Sequence, residues 1–428
     1  MNHAKENKKV LIITYYWPPS GGAGVQRWLK FSKYLNCFGW DPVIFTPENP
    51  DVPVVDPSLL KEIPEGATVL KLPIFEPSRV VSVIGGGKST GRTGAENKKG
   101  GNKSLINEFT RWVRGNIFIP DARAAWIRPS SRFLKKWLAK NHVDAIISTG
   151  PPHSMHLIAL NVKKSFPDLI WLTDFRDPWS DMDYLDEFKM GARARKKLVE
   201  MEREVVKNCD HILINSPSVA HAHLEILDEN KHTLIPNGWD NNDFENIKSG
   251  SENRTHFRIG HFGALYGSRN APGLWKAVTK WNSEQERKVE IVLVGSIGED
   301  VRKDMENTDF IQHLPGVNHR EAIQEMMNCD ALLLVQNNTD PARKCTPGKV
   351  FEYIATQKPI FSICNSPSDL SQRLAEWGLP FCDHNDDASA YEMLHNVIVD
   401  DGQKKIDPAP YERKALTKEL SELLDKLT

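Results

Sequence analysis

Short apolar runs separated by longer stretches of helical periodicity recur along this chain, and that alternation restricts it to folds built on parallel strands. Residues 10–16 (VLIITYY), 42–46, 68–74, 145–148, 170–173 and 212–214 read as buried strands of a first half. Residues 258–262, 289–294, 331–335 and 359–364 read the same way in a second half. Runs this continuously apolar need cover on both faces, which helices between them supply. The succession implies βαβ units, parallel sheets and right-handed crossovers. A chain of 428 residues is long enough for two such halves. The fold class expected is therefore α/β, with mainly parallel sheets in two halves.

Two breaks interrupt the pattern. Residues 85–104 (GGGKSTGRTGAENKKGGNKS) hold almost nothing apolar and read as a mobile loop. Its GGGKST invites a phosphate-loop reading, but the glycine required five residues before Gly87 is Ser82, so a lysine-rich loop is the better account. The second break, 236–250, is polar with an Asn-Gly turn and separates the two strand series. The expected domains are 1–238, 239–405 and a terminal segment 406–428. In that segment Leu416, Leu420, Leu423 and Leu424 share one face of a helix that needs an apolar surface to cover.

Charge excludes one large class of function. Lys and Arg total 55 against 56 Asp and Glu, so no global field draws nucleic acid. The six cysteines are scattered singly, without zinc spacing, and read as reduced core thiols of a cytoplasmic protein. The apolar run after the N-terminal MNHAKENKKV is too short for a signal peptide or a membrane span.

Two segments carry chemistry. The first strand runs into Gly21, Gly22 and Gly24 before a helix near Val25. Glycines there let backbone N–H groups approach a phosphate at the positive helix end. Tight strand–helix packing explains them equally well, and the spacing is not G-x-G-x-x-G. The second segment is Thr346-Pro347-Gly348-Lys349-Val350-Phe351-Glu352-Tyr353. Thr346 as N-cap and Pro347 at the first helical position would leave the N–H groups of Gly348 and Lys349 unpaired. Those donors and the Lys349 ammonium suit a diphosphate, and Glu352 suits two ribose hydroxyls. An ordinary capped helix with a surface Lys and Glu fits the same residues.

YYWPPSGGAGVQR, STGPPHSMHL, TDFRDPW, IPNGWD, GHFGALYGSRN and PGKVFEYIATQKPI together resemble, in this order, segments of the family 4 glycosyltransferases of bacterial surface-polysaccharide synthesis. The resemblance spans nearly the whole chain. It implies the GT-B fold, two Rossmann-like domains facing a central cleft, with the donor held by the second domain and the last helix crossing back to the first. It also implies retention of anomeric configuration, no metal, and no cofactor beyond the nucleotide-diphosphate sugar, UDP- or GDP-linked, that serves as substrate. The acceptor implied is a glycan or polyprenyl-linked sugar at the inner face of the cytoplasmic membrane. By the same resemblance His153 meets the transferred sugar, and Asp174 and Lys349 act with it. Gly21, Gly22, Gly24, Arg269, Thr346, Gly348 and Glu352 complete the donor site.

One departure stands out. The family pairs two glutamates eight residues apart, and where Glu352 is the second, the first position holds Lys344 beside Arg343. A sugar-nucleotide epimerase of the same fold and a non-catalytic sugar-nucleotide binder therefore stay as alternatives. Asp181-Met182-Asp183 has the D-x-D spacing of a manganese site, but two aspartates in a polar loop need no metal. Residues 105–142 interleave eight basic side chains with Trp112, Phe118, Ile119, Trp126, Phe133 and Trp137, against Glu108 and Asp121 alone. That composition fits either a surface resting on anionic lipid or two helices docked on the sheet.

Overall fold

The computed structural model describes residues 6–76, 111–177, 179–180, 185, 188–221, 231–248, 250, 255–305, 308–399 and 404–428. The loop 85–104, residues 105–110 and the 181–183 triplet lie outside the described residues. The chain divides into two compact units, Met1–Pro236 with Arg413–Thr428, and Asn237–Glu412.

The main elements of the first unit are β1 (Lys8–Ile13), α1 (Ala23–Leu35), β2 (Trp40–Pro47), β3 (Thr68–Leu72), α2 (Ile127–Leu138), β4 (Ala145–Gly150), α3 (Ser154–Lys163), β5 (Ile170–Phe175), α4 (Ala192–Asn208), β6 (His211–Ile214) and β7 (His232–Leu234). They build a seven-stranded sheet in the order β3-β2-β1-β4-β5-β6-β7, with every pairing parallel. Successive side chains of a strand point to opposite faces, and both faces here are apolar. Leu11 and Ile13 pack with Phe45, Ile146 and Trp171 on one side. Val10 and Ile12 pack with Ile44, Ile147, Trp28 and Phe31 on the other.

The second unit holds β8 (His256–Phe262), α5 (Pro272–Glu284), β9 (Lys288–Val294), α6 (Glu299–Met305), β10 (Ile311–Leu314), α7 (His319–Asn328), β11 (Ala331–Val335), α8 (Lys349–Ala355), β12 (Ile360–Ile363), α9 (Asp369–Trp377), β13 (Phe381–Cys382) and α10 (Asp387–Ile398). Its six strands run β10-β9-β8-β11-β12-β13, again all parallel. Local chemistry sets the helix starts. At α7, Asn318 Oδ1 accepts from Glu321 N while Glu321 Oε2 accepts from Asn318 N, a complete capping box.

The chain then returns to the first unit through α11 (Arg413–Leu427). Leu416, Leu420 and Leu424 are buried beside Val25, Trp28 and Leu29 of α1. Burial of a leucine contributes about 1.5–3 kcal/mol, so this helix is an integral wall of that unit.

Both sheets have the order of doubly wound folds. Strand order reverses beside β1 and beside β8, which opens a ligand crevice at the carboxyl ends of the strands. The architecture is α/β of the GT-B type, two units each carrying a parallel sheet. Sequence periodicity did not show β7, β10 or β13. All three lie at sheet edges, and β7 and β10 have no fully buried residue.

Candidate functional site

In the second unit the sequence features converge at the carboxyl end of the sheet. β8 ends at Phe262, and Gly263 follows with φ 134°. Gly295 follows β9 with φ 133°, and a Cβ there would lie 2.5 Å from the Gly263 carbonyl oxygen. L side chains rarely adopt that backbone region, and here they would also lack room. A Cβ on Gly263 would in turn overlap the ammonium of Lys349. The two glycines thus clear a recess at the strand ends, and Lys349, the first residue of α8, reaches into it.

Burial of the ammonium pulls the Lys349 pKa from 10.5 down to about 8, with Glu352 opposing that change and Arg269 adding to it. Lys349, Glu352 and Arg269, chosen from sequence, are therefore electrostatically coupled. Arg269 donates from Nε to Asn337 Oδ1 at 2.8 Å, and its guanidinium lies 5.6 Å from the Tyr266 ring. Glu352 lies 3.9 Å from Nε2 of His319, whose other carboxylate neighbour is Asp243 at 3.3 Å. Tyr353 buttresses the recess from behind: its hydroxyl accepts from Phe262 N at 3.3 Å and donates to Leu333 O at 3.4 Å. Gln336 pins the preceding loop by donating to the carbonyls of Ala342 and Cys345.

The helix start differs from expectation. Gly348, in helical geometry, occupies the cap position and α8 begins at Lys349, so Thr346 lies two residues outside and is not the N-cap. The amide of Val350 turns back to Pro347 O at 3.1 Å, which makes the entry a tight turn. Lys344 ends a short 3-10 helix, Pro341–Lys344, in which Arg343 bonds to Asp340 and to Pro367 O.

In the first unit, Gly21 and Gly22 occupy the β1–α1 connection and Gly24 the first turn of α1. Gly21 donates to Val54 O at 2.9 Å, Gly22 caps α1 with no side-chain bond, and Gly24 accepts from Arg176 Nη1 at 2.9 Å. Arg176 also donates to Gly150 O at 3.2 Å and to Pro151 O at 2.5 Å. One side chain therefore ties the glycine loop to the loop that precedes His153. His153 is 3% exposed, stands at the start of α3, and stacks on Trp179 with centroids 4.7 Å apart.

Asp174 requires a correction. It is 0% exposed, and its carboxylate accepts from Arg27 Nε at 3.1 Å, Trp28 Nε1 at 2.6 Å and Thr149 Oγ1 at 2.8 Å, with Arg27 Nη2 at 3.0 Å. Burial acts to raise its pKa, but Arg27 and then Arg176 outweigh it and hold the carboxyl below the ordinary range. With no face open to a substrate, Asp174 is a buried anchor that binds α1 to β4 and β5, not a reacting group.

Sequence reasoning passed over three features. Gly263 and Gly295 each follow a strand, and GHFG and LVGS carried that signal. His319 gave none, because its role depends on partners distant in sequence. Neither did the buried network of Tyr15, Glu76 and Arg123, in which the Tyr15 hydroxyl bonds the Glu76 carboxylate and Arg123 donates to Tyr15 at 3.0 Å.

No family model matches this chain, and no curated protein matches it in sequence. Solved structures do match in fold. The lipopolysaccharide outer core galactosyltransferase WaaB, in apo form, superposes with a TM-score of 0.56 at 12% identity, over 98% of this chain and 100% of that one. Anabaena HepE, in complex with UDP and glucose, gives 0.56 at 11% identity, covering 98% and 97%. A Listeria monocytogenes protein assigned as a UDP-N-acetylglucosamine 2-epimerase gives 0.54 at 10% identity, covering 97% and 95%. At such identities the likeness is one of fold.

Proposed function

We propose that this chain is a glycosyltransferase that moves a sugar from a UDP- or GDP-linked donor to a glycan or polyprenyl-linked acceptor in surface-polysaccharide synthesis. The observation that carries this reading is the recess bounded by Gly263 and Gly295. It places a desolvated ammonium, a second cation and a carboxylate at the carboxyl end of a parallel sheet. A nucleoside diphosphate has the matching features: a diphosphate for Lys349 and Arg269, and a ribose diol for Glu352. Two of the fold neighbours are named for galactosyl transfer and for a complex with UDP and glucose, which supports the same choice.

The reaction proposed is displacement with retention. The acceptor hydroxyl attacks the anomeric carbon on the face from which the diphosphate leaves. A new C–O bond forms as the C–O bond to the diphosphate breaks, and the hydroxyl proton passes to the departing diphosphate oxygen. Lys349 and Arg269 stabilise the charge that builds on that oxygen. No step calls for a divalent metal. His153, at the start of α3, is assigned to the transferred sugar, and the acceptor is met at the inner face of an anionic membrane.

The Listeria neighbour favours a second reading, epimerisation of a UDP-sugar. Incubation with radiolabelled UDP- and GDP-sugars and a polyprenyl-linked acceptor separates the two. Label in the lipid fraction supports transfer. An altered sugar still attached to its nucleotide overturns it in favour of epimerisation, and nucleotide binding with neither product overturns both.

A further inference from the structure

The basic segment 105–142 divides once its side chains are placed. Trp126 is 1% exposed and stacks on Phe45 at 5.0 Å, Phe133 stacks on the same ring at 5.7 Å, and Trp137 packs against the core. Most of the aromatics that sequence offered to a lipid interface are therefore inside the fold. The cations are not. Arg123 belongs to the Tyr15–Glu76 network and Arg114 covers Phe188 at 4.6 Å, but Arg128, Arg132, Lys135, Lys136 and Lys140 lie on or just beyond α2.

At 100° per residue, Arg128, Arg132, Lys135 and Lys136 fall within one sector of about 100° of that helix. Ser130 and Leu134, which are buried, fall on the opposite side, and the buried Ser131 lies on the flank. Arg128, Arg132, Lys136 and Lys140 are exposed and Lys135 is half-buried. Among the described residues none of the five has an ion-pair partner. Neither α2 nor α3, the helix it packs on, contains an acidic residue. The nearest acids in sequence are occupied, Asp121 by Ser154 N and Oγ, and Asp144 by Lys9 N and His142.

We infer that the exposed face of α2 is a docking surface for an anionic lipid bilayer. In a chain of net charge −1, four uncompensated cations on one helix and a fifth, Lys140, just past its end are a segregated charge, not a basic background. The side chains diverge from a convex helix, so they cannot converge on one phosphate and suit a broad plane of charge instead. The exposed positions of the helix face, Arg128, Pro129, Arg132 and Lys136, include no Asn, Gln, Ser or Thr to read bases. With Phe133 and Trp137, the aromatics of α2, packed against the core, attachment through this face is electrostatic and shallow, without insertion. It would hold an enzyme beside a polyprenyl-linked acceptor and so deepens the functional reading, but its test does not depend on transfer.

The experiment is sedimentation of the full chain with sucrose-loaded vesicles of phosphatidylcholine alone or with 40% phosphatidylglycerol, a fraction of about two in five chosen to give a strongly negative surface. Binding is expected only to the anionic vesicles and should fall steeply as salt shortens the Debye length from about 10 Å at 0.1 M to about 3 Å at 1 M. The triple variant Arg128→Gln, Arg132→Gln, Lys136→Gln should bind about a hundredfold more weakly, at about a tenfold loss for one to two charges. A charge-reversed set, Arg128→Glu, Arg132→Glu, Lys136→Glu, should not bind at all. Circular dichroism and nucleotide affinity, both expected to match the parent, exclude misfolding as the cause. Equal binding of parent and variants, binding to neutral vesicles, or stronger retention on duplex DNA than on anionic vesicles would each overturn the assignment. Loss of transfer with vesicle binding intact would instead count against the catalytic reading alone.

Discussion

Affinity for a nucleoside diphosphate should fall as pH rises through 8, and the reason lies in the recess around Lys349. Desolvation lowers this lysine from 10.5 to about 8, so near neutral pH the protein holds an ammonium at a cost. The sign follows from linkage. Folding depresses the pKa, so the lysine contributes a destabilising term that is full below about 8 and fades as pH climbs toward 10.5. An arriving diphosphate supplies the missing counter-charge and favours the protonated form. If binding requires that form, the fraction available drops from roughly 90% at pH 7 to roughly 10% at pH 9, an affinity loss of about tenfold. The terminal phosphate, with a second pKa of about 6, is already ionised across this window and adds little to the slope.

Isothermal titration calorimetry of UDP and GDP from pH 7 to 9, in buffers of different ionisation enthalpy, measures both consequences. Affinity should fall, and binding at pH 8 should take up about half a proton. Lys349→Met should bind weakly with a flat profile. A flat profile in the parent, or an unchanged slope in the variant, refutes the assignment of this ammonium to the diphosphate.

Three further outcomes are expected. Glu352→Ala should weaken nucleoside diphosphate binding by about 1–3 kcal/mol, the cost of an unpaired desolvated hydroxyl, and unchanged affinity in a folded variant rules out the ribose contact. Asp174→Asn should lower stability to urea by about 3–5 kcal/mol, because it strands the Arg27 guanidinium in the core; a variant as stable as the parent contradicts the anchoring role. Transfer activity should survive EDTA, and loss restored by Mn²⁺ would overturn metal independence.

Fold class was legible because a strand covered on both faces leaves an unbroken apolar run, as in VLII and ALLLV, and those runs survive inspection without context. Edge strands such as HTL and IQHL are covered on fewer sides, so selection for apolar side chains is weaker and the signal fades. The site was legible in part. Lys349 and Glu352 stand three apart on one helix, and their coupling follows from local spacing. Asp174 shows the limit of such reading. An acid at a strand end in a parallel sheet faces either a crevice or the protein, and here the choice was made by Arg27 and Trp28, almost 150 residues away in the chain, as the separations of 147 and 146 show. His319 was invisible for the same reason, since nothing near it in sequence names Asp243 or Glu352.

The return of α11 to the first unit has a consequence for biosynthesis. Ribosomes release the chain from its N-terminus, yet the surface formed by Val25, Trp28 and Leu29 is not covered until Leu424 has emerged. The segment Asn237–Glu412 is continuous and can close on itself while the tunnel still holds the last residues. The unit made first is thus completed last, and for the whole of synthesis an apolar face stays open for a holding chaperone to occupy. A nonsense codon between Arg413 and Leu416 would leave the second unit whole and the first permanently unsealed.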